Sequence, residues 1–323
     1  MRVLVTGAGG FVGGHLVAYL RAEQPEAQVF GLLLPRGGIS WGSGAGMTAL
    51  EADLDDPVAT AAAVEAVRPD RIVHLAGQSS PQHSWLDPGG TLRTNVMGIV
   101  HVLDGARRAG LRPAVLVVGS AEEYGNAPAE ELPLRETTPL RPGSPYAVSK
   151  AAQAAIAALY GPAGGMKIVV TRTFHHTGPG RGEAFAESSF ARQVAEIEAG
   201  LRPAQLSVGN LDAVRDFTDV RDVVRAYWLL LERGEAGVYN VCSGRGRRIR
   251  ELLDLLLAAS ATHVEVRVDP ERLRASDVPV QVGDPSRLRA ATGWEPRIPL
   301  AETLRDLLDD WRERTRGAHA AGQ

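Results

Sequence analysis

Cysteine is almost missing from this chain. One residue in 323, Cys242, is a cysteine, so the sequence allows no internal disulfide, cysteine-rich zinc site or CxxC redox pair. An excess of one charge is missing too. Lys+Arg 35 against Asp+Glu 38 leaves a formal net charge of -3, which argues against a nucleic-acid binder held by phosphate contacts. Aromatic residues make up only 5%. No segment reaches the about 18 consecutive apolar residues of a membrane span. The opening run Met1-Arg2-Val3-Leu4-Val5-Thr6 is broken at Gly7, Gly9 and Gly10, too soon for a secretory signal. The expected location is therefore the cytoplasm.

What is present describes a large globular chain. Apolar residues are 44% and charged residues 23%, enough to bury a sizeable core. At about 100–200 residues per domain, the length suggests roughly two domains. Apolar, β-branched runs predict strands over Arg2–Thr6, Gln28–Leu33, Met47–Leu50, Arg71–Leu75, Ala114–Gly119 and Lys167–Thr173. Helix candidates fall between them, over Phe11–Glu23, Pro57–Val67, Thr91–Ala109 and Tyr146–Tyr160. The runs are apolar throughout, as parallel strands covered on both faces are. This order predicts an α/β fold, a Rossmann-type doubly wound parallel sheet. Past residue 175 the pattern changes, and a smaller C-terminal lobe is expected. The expected division is 1–174 plus about 213–243 for the dinucleotide-binding domain, and about 175–212 and 244–323 for the lobe.

The most informative segment opens the chain. Gly7, Gly10 and Gly13 have the spacing GxxGxxG, after a strand and before an apolar helix starting at Phe11-Val12. The first glycine permits a sharp turn, the second lets backbone approach a pyrophosphate, and the third permits close helix–strand packing. The helix start offers free N–H groups to the phosphates. At the end of the second strand, Leu34-Pro35-Arg36 stands where NAD-binding chains place an acid. A guanidinium there suits the 2′-phosphate of NADP, the alternative being a solvated arginine. Asp53 follows the third strand. It either touches the adenine or marks the helix start before Pro57.

The second informative segment is Tyr146-Ala147-Val148-Ser149-Lys150, which puts a phenol and an ammonium on one helix face. Upstream, Ser120 stands at a strand end in Gly119-Ser120-Ala121-Glu122. A serine, a tyrosine and a lysine after a dinucleotide turn suit proton transfer to a carbonyl oxygen.

With these pieces and His74-Leu75-Ala76-Gly77, the chain resembles the extended short-chain dehydrogenase/reductase superfamily (the NAD-dependent epimerase/dehydratase family) over nearly its whole length. Val208–Phe217 and Arg272–Val278 are similar to the nucleotide-contacting stretches of its GDP-sugar enzymes. Thr177–Gly180, Phe217–Asp222 and Asn240–Gly244 look more like the reductases of that group. The resemblance implies NADPH-dependent reduction of the C4 ketone of GDP-4-keto-6-deoxy-D-mannose to GDP-D-rhamnose, with NAD as the alternative cofactor. It implies that Tyr146 donates the proton, that Lys150 orients the ribose and lowers the Tyr146 pKa, and that Ser120 holds the sugar oxygen. Glu122 occupies the position of the dehydratases' acid–base glutamate. The cofactor is expected along Gly7, Gly10, Phe11, Val12 and Gly13, against Asp53-Leu54 and Leu75-Ala76-Gly77, with Arg36 at its 2′-phosphate. Ser79, Ser80, His175, Val208, Asn210, Arg215, Arg274 and Asp277 are the expected substrate contacts. No metal is expected. A homodimer through a four-helix bundle of Thr91–Ala109 and Tyr146–Tyr160 is implied as well.

The chain departs from the family pattern at two positions. His175 replaces the usual Asn, and Ala275 stands where proline is usual. The competing readings are a GDP-mannose 4,6-dehydratase with Glu122 as base, another nucleotide-sugar 4-reductase or epimerase, and a non-catalytic nucleotide sensor.

Overall fold

The computed structural model describes residues 1–35, 46–272 and 278–321. Arg36, Arg274, Ala275 and Asp277 lie outside the described residues.

The chain begins β1 (Arg2–Thr6), α1 (Phe11–Glu23), β2 (Gln28–Leu33), β3 (Thr48–Glu51), α2 (Pro57–Val67) and β4 (Arg71–His74). Two short helices follow, α3 (Pro81–Leu86) and α4 (Pro88–Leu92), then a π-helical turn (Arg93–Met97) and α5 (Gly98–Arg108). β5 (Ala114–Ser120), α6 (Pro145–Gly164) and β6 (Lys167–Thr173) come next. Then come β7 (His175–Thr177), α7 (Ala186–Glu198), β8 (Gln205–Val208), β9 (Val214–Asp219), α8 (Val220–Arg233) and β10 (Gly237–Val241). The last elements are β11 (Gly246–Arg248), α9 (Ile249–Ala258), β12 (Glu265–Val268), β13 (Val280–Gln281), α10 (Ser286–Thr292) and α11 (Leu300–Ala321).

Seven parallel strands form the main sheet in the order β10-β6-β5-β4-β1-β2-β3. The apolar runs have a direct cause here. Val3 and Val5 enter one core with Leu116, Val169, Val223 and Trp228. Leu4, between them, enters the core on the other face with Ile72, Ile99, Val115 and Val117. Both faces are covered, so successive side chains must all be apolar. The strand order reverses between β1 and β4, which opens a crevice at their carboxyl ends, where such sheets bind ligands.

A second sheet has the order β11-β9-β13, with β7 joined to β9, and β8 pairs with β12 alone. Phe190, Val194, Leu206, Val208, Leu252, Leu256 and Leu307 share a third core beneath these strands. Val214–Asp219 thus belongs to the second sheet, while Gly237–Val241 closes the main one beside β6.

The helix expected over Thr91–Ala109 is present as one unbroken helical run from Pro88 to Arg108 that contains a π-helical turn. Its first turns are α4 and the π-helical turn, and only then does α5 begin. The extra residue of a π turn rotates one side chain inward. Here that side chain is Asn95, whose amide joins Gln78 to Ser149.

Candidate active site

The glycine turn comes off β1 with Gly7 at φ 70, the left-handed region that favours glycine. A Cβ there would lie 2.8 Å from Ala76 N, and one on Gly13 would lie 2.3 Å from Gly7 O. Gly10 differs: a Cβ there would meet only Gly7 O, at 3.3 Å. Gly10 is also the N-cap of α1 and makes no side-chain cap bond. By contrast Asp56, Ser144 and Asp219 cap α2, α6 and α8 with their side chains. An uncapped helix start facing a cleft leaves backbone N–H donors for an anion. The turn therefore fits a dinucleotide diphosphate. Thr6 braces it, its hydroxyl 2.9 Å from His74 Nδ1 and accepting from Ala76 N at 3.2 Å.

One continuous cleft of roughly 960 Å³ runs from this turn to the C-terminal lobe. Gly7, Gly10, Phe11, Val12, Gly13, Asp53, Leu54 and Leu75-Ala76-Gly77 line its first part. Asp53 also accepts from Asp55 N at 2.9 Å, while the cap before Pro57 is Asp56. Ser79, Ser120, Glu122, Tyr146, Lys150 and His175 line the middle, and Asn210 and Arg215 the far part. The fold therefore brings most of the expected residues to one cavity.

Two expected contacts are not in it. Ser80 caps α3, its hydroxyl accepting from His83 N at 3.2 Å. Val208 is fully buried in the lobe core with Leu206, because alternate residues of β8 face inward.

The Ser120, Tyr146 and Lys150 set is assembled by β5 and α6. Ser120 ends β5, and its hydroxyl accepts from Glu122 N at 3.2 Å. Ser144 caps α6 by accepting from Ala147 N at 3.1 Å, which places Tyr146 and Lys150 in its first turns. Burial pushes the Tyr146 phenol up to about 12, against the opposing pull of its hydrogen bond to Ser120 and of Arg181. This corrects the expectation that Lys150 lowers it. The ammonium is engaged elsewhere: Lys150 Nζ donates to Val118 O at 2.9 Å and to Gln153 Oε1 at 2.8 Å. Burial lowers Lys150 to about 8, with Glu123 opposing. Glu123 accepts from Ser120 N at 2.8 Å and pairs with Arg172 at 3.2 Å.

His175 lines the cleft with its ring centroid 5.5 Å from that of Phe217. Burial lowers its neighbour His176 to about 4, so a neutral imidazole faces Phe11 in a stack at 6.1 Å.

Several cleft residues were not anticipated. Arg181 has its guanidinium 3.3 Å from the Phe185 ring centroid and 5.2 Å from that of Phe11. Its Nε lies 3.6 Å from Glu187 Oε1. Arg272, by contrast, opens the stretch already expected to contact the nucleotide, and it lines the far part, where Gly209 approaches its backbone. The β8–β12 pairing brings these two segments side by side. Asn95 and Gln153 stand behind the cleft. Charge and spacing offered no signal for them, since their partners arrive only with the fold.

Comparison with known proteins adds a consistent set of relatives. The family described as GDP-mannose 4,6 dehydratase matches residues 4–307. GDP-6-deoxy-D-mannose reductase of Pseudomonas aeruginosa is 38% identical, over 98% of this chain and 98% of that protein. GDP-mannose 4,6-dehydratase of Yersinia enterocolitica is 29% identical, over 79% of this chain and 76% of that protein. Among solved structures, RMD of Pseudomonas aeruginosa complexed with NADPH superimposes with a TM-score of 0.86. It is 36% identical and covers 97% of this chain and 99% of its own. A Thermus thermophilus UDP-glucose 4-epimerase in complex with NAD gives 0.84 at 33% identity, over 97% of this chain and 99% of its own.

Proposed function

The chain belongs to the GDP-mannose 4,6 dehydratase family, and from that premise we propose that it is the reductase of a 4-keto-6-deoxy sugar carried on GDP. It reduces the C4 ketone of GDP-4-keto-6-deoxy-D-mannose to GDP-D-rhamnose, with NADPH as cofactor. The end-to-end likeness to a GDP-6-deoxy-D-mannose reductase carries this reading; the dehydratase likeness is lower in identity and spans less of the chain.

Bound NADPH supplies the hydride to the C4 carbon. The chain's own part is the proton and the charge. Tyr146, a phenol neutral at pH 7 whose pKa burial raises further, donates its proton to O4 as negative charge develops there. Ser120 steadies the same oxygen and the phenol. Hydride on carbon and proton on oxygen complete the alcohol. Lys150 presents its remaining N–H to the cofactor ribose. Gly7, Gly10 and the α1 start hold the diphosphate, and Arg36 suits the 2′-phosphate. Arg215 and Arg272 suit the nucleotide diphosphate of the sugar, since guanidinium matches phosphate in two-point contact.

Glu122 separates this reading from the dehydratase one. Reduction at C4 removes no C5 proton, so Glu122→Gln is expected to slow hydride transfer by no more than about tenfold, whereas loss of an essential acid–base group costs about 10²–10⁴-fold. Steady-state NADPH oxidation with the keto sugar reads this directly. A collapse in the Gln variant, or GDP-mannose turnover with no net NADPH loss, would move the assignment to the lyase.

We place the enzyme in the cytoplasm as a homodimer. No helix among the described residues is long and apolar enough to cross a membrane. The helical run through α4, the π turn and α5 packs against α6, and these helices, the pair expected to form the four-helix bundle, expose Leu92 (40%), Met97 (40%), Val148 (44%) and Leu159 (67%). Apolar surface of this kind marks an interface. Solution scattering should give twice the mass of one chain, and a single-chain mass would contradict the dimer.

A further inference from the structure

Tyr146, Lys150 and Gln153 share one face of α6, since positions i, i+4 and i+7 align on a helix. Gln153 is fully buried. Its Oε1 accepts from Lys150 Nζ at 2.8 Å, and the second acceptor on that ammonium is Val118 O at 2.9 Å. With two of three donors tied down, the third has one direction left. The other end of the Gln153 amide is different. Its Nε2 has no hydrogen-bond partner among the described residues.

A half-satisfied amide is costly in a core, so what the glutamine contributes here comes through its one satisfied group, the carbonyl oxygen on the buried ammonium. We propose that Gln153 is a positioning residue for the reaction: its carbonyl keeps Lys150 charged and aimed at the cofactor ribose.

The groups facing Lys150 define the electrostatics. Glu123, from the turn after β5, favours the ammonium. His74, from β4, is neutral, with burial and the Lys150 charge lowering it to about 3. Tyr146, one turn earlier on α6, stays protonated. Burial opposes the ammonium and outweighs Glu123, so the residue stands near 8, well below the ordinary lysine value of 10.5. A neutral acceptor at hydrogen-bond distance favours the charged form. Replacing it with hydrocarbon removes that support. Replacing it with a carboxylate adds an opposite charge in the same place.

The test is NADPH affinity by fluorescence titration from pH 6.5 to 10, on the wild type, Gln153→Leu and Gln153→Glu. Wild-type affinity should fall as the ammonium deprotonates. The leucine variant should move that inflection to lower pH and the glutamate variant to higher pH, each by about one unit, a tenfold change in the proton equilibrium. Lys150→Met should show no inflection. An added carboxylate raises a neighbouring ammonium whatever the glutamine does, so the glutamate variant shows only that the inflection reports Lys150. A residue that only fills space would leave the leucine variant's inflection at the wild-type pH, and that outcome overturns the proposal; Gln153→Met, unbranched like glutamine, makes the same comparison if the leucine variant loses its fold. The inference rests on the cofactor assignment, but fails separately from it. Absence of NADPH binding in the wild type sinks the cofactor assignment, and an unmoved leucine-variant inflection with NADPH bound sinks only the role of Gln153.

Discussion

Tyr146→Phe should lower kcat by about 10²–10⁴-fold, the usual worth of a positioned general acid, and leave NADPH affinity near wild type. The argument starts from the alkoxide. Hydride arriving at C4 leaves negative charge on oxygen in a cleft where water is a poor substitute donor. The phenol is buried, hydrogen-bonded to Ser120, and raised to about 12. That is the protonation state a donor needs at neutral pH, and the alkoxide it meets is a stronger base still. Phenylalanine keeps the ring, so the packing under α6 survives. The glycine turn and Lys150 still hold the cofactor. Stopped-flow hydride transfer beside a fluorescence titration of NADPH separates the two quantities. Near-wild-type transfer would remove Tyr146 from the mechanism and with it most of the functional reading.

Lys150→Met should do more, lowering kcat and NADPH affinity together. On the proposed reading the ammonium serves the ribose, and through it the placement of the ring beside Tyr146. Its folded pKa is lowered to about 8 by burial, so the charged form holds below that pH and is lost as pH rises through it. Wild-type turnover should therefore fall on the alkaline side near pH 8, and the methionine variant should show a low, flat profile there. Stability should move the other way. A lysine with a depressed folded pKa is less protonated folded than unfolded between about 8 and 10.5. Stability rises with pH across that window because the burial penalty on the charge is relieved. Methionine carries no such penalty but leaves Val118 O and Gln153 Oε1 without their donor; the two effects oppose each other, so its Tm below pH 8 should change little. A variant that loses Tm along with activity would make Lys150 a structural residue.

The main sheet was legible because its chemistry is local. Continuous apolar strands such as Val3–Val5 follow from cores on both faces, and the glycine spacing follows from a turn with contacts too close for a Cβ. The Ser120, Tyr146 and Lys150 set was legible because phenol and ammonium share a helix face. What escaped depends on partners distant in sequence. Asn95 reads as an ordinary helical polar residue, yet it sits buried in a π-helical turn and bonds Gln78 and Ser149. Gln153 looks like a surface glutamine in an alanine-rich helix until Lys150 turns toward it. Ser80 is the opposite case. A serine after a strand suggested a pocket wall, but Pro81 begins a helix and the hydroxyl is spent capping it. The short strands β7, β9 and β13 carry polar residues such as Arg215 and Gln281 on inward faces, and β11 is exposed throughout, so they show no apolar period to read.

The central claim is net reduction at C4 of a GDP-linked keto sugar. The most direct measurement uses NADPH carrying deuterium at its transferable position, with the sugar product read by NMR. The account predicts one deuterium at C4 for each NADPH oxidised, and loss of that label transfer in Tyr146→Phe. A product without deuterium at C4, formed while NADPH stays reduced, would contradict it.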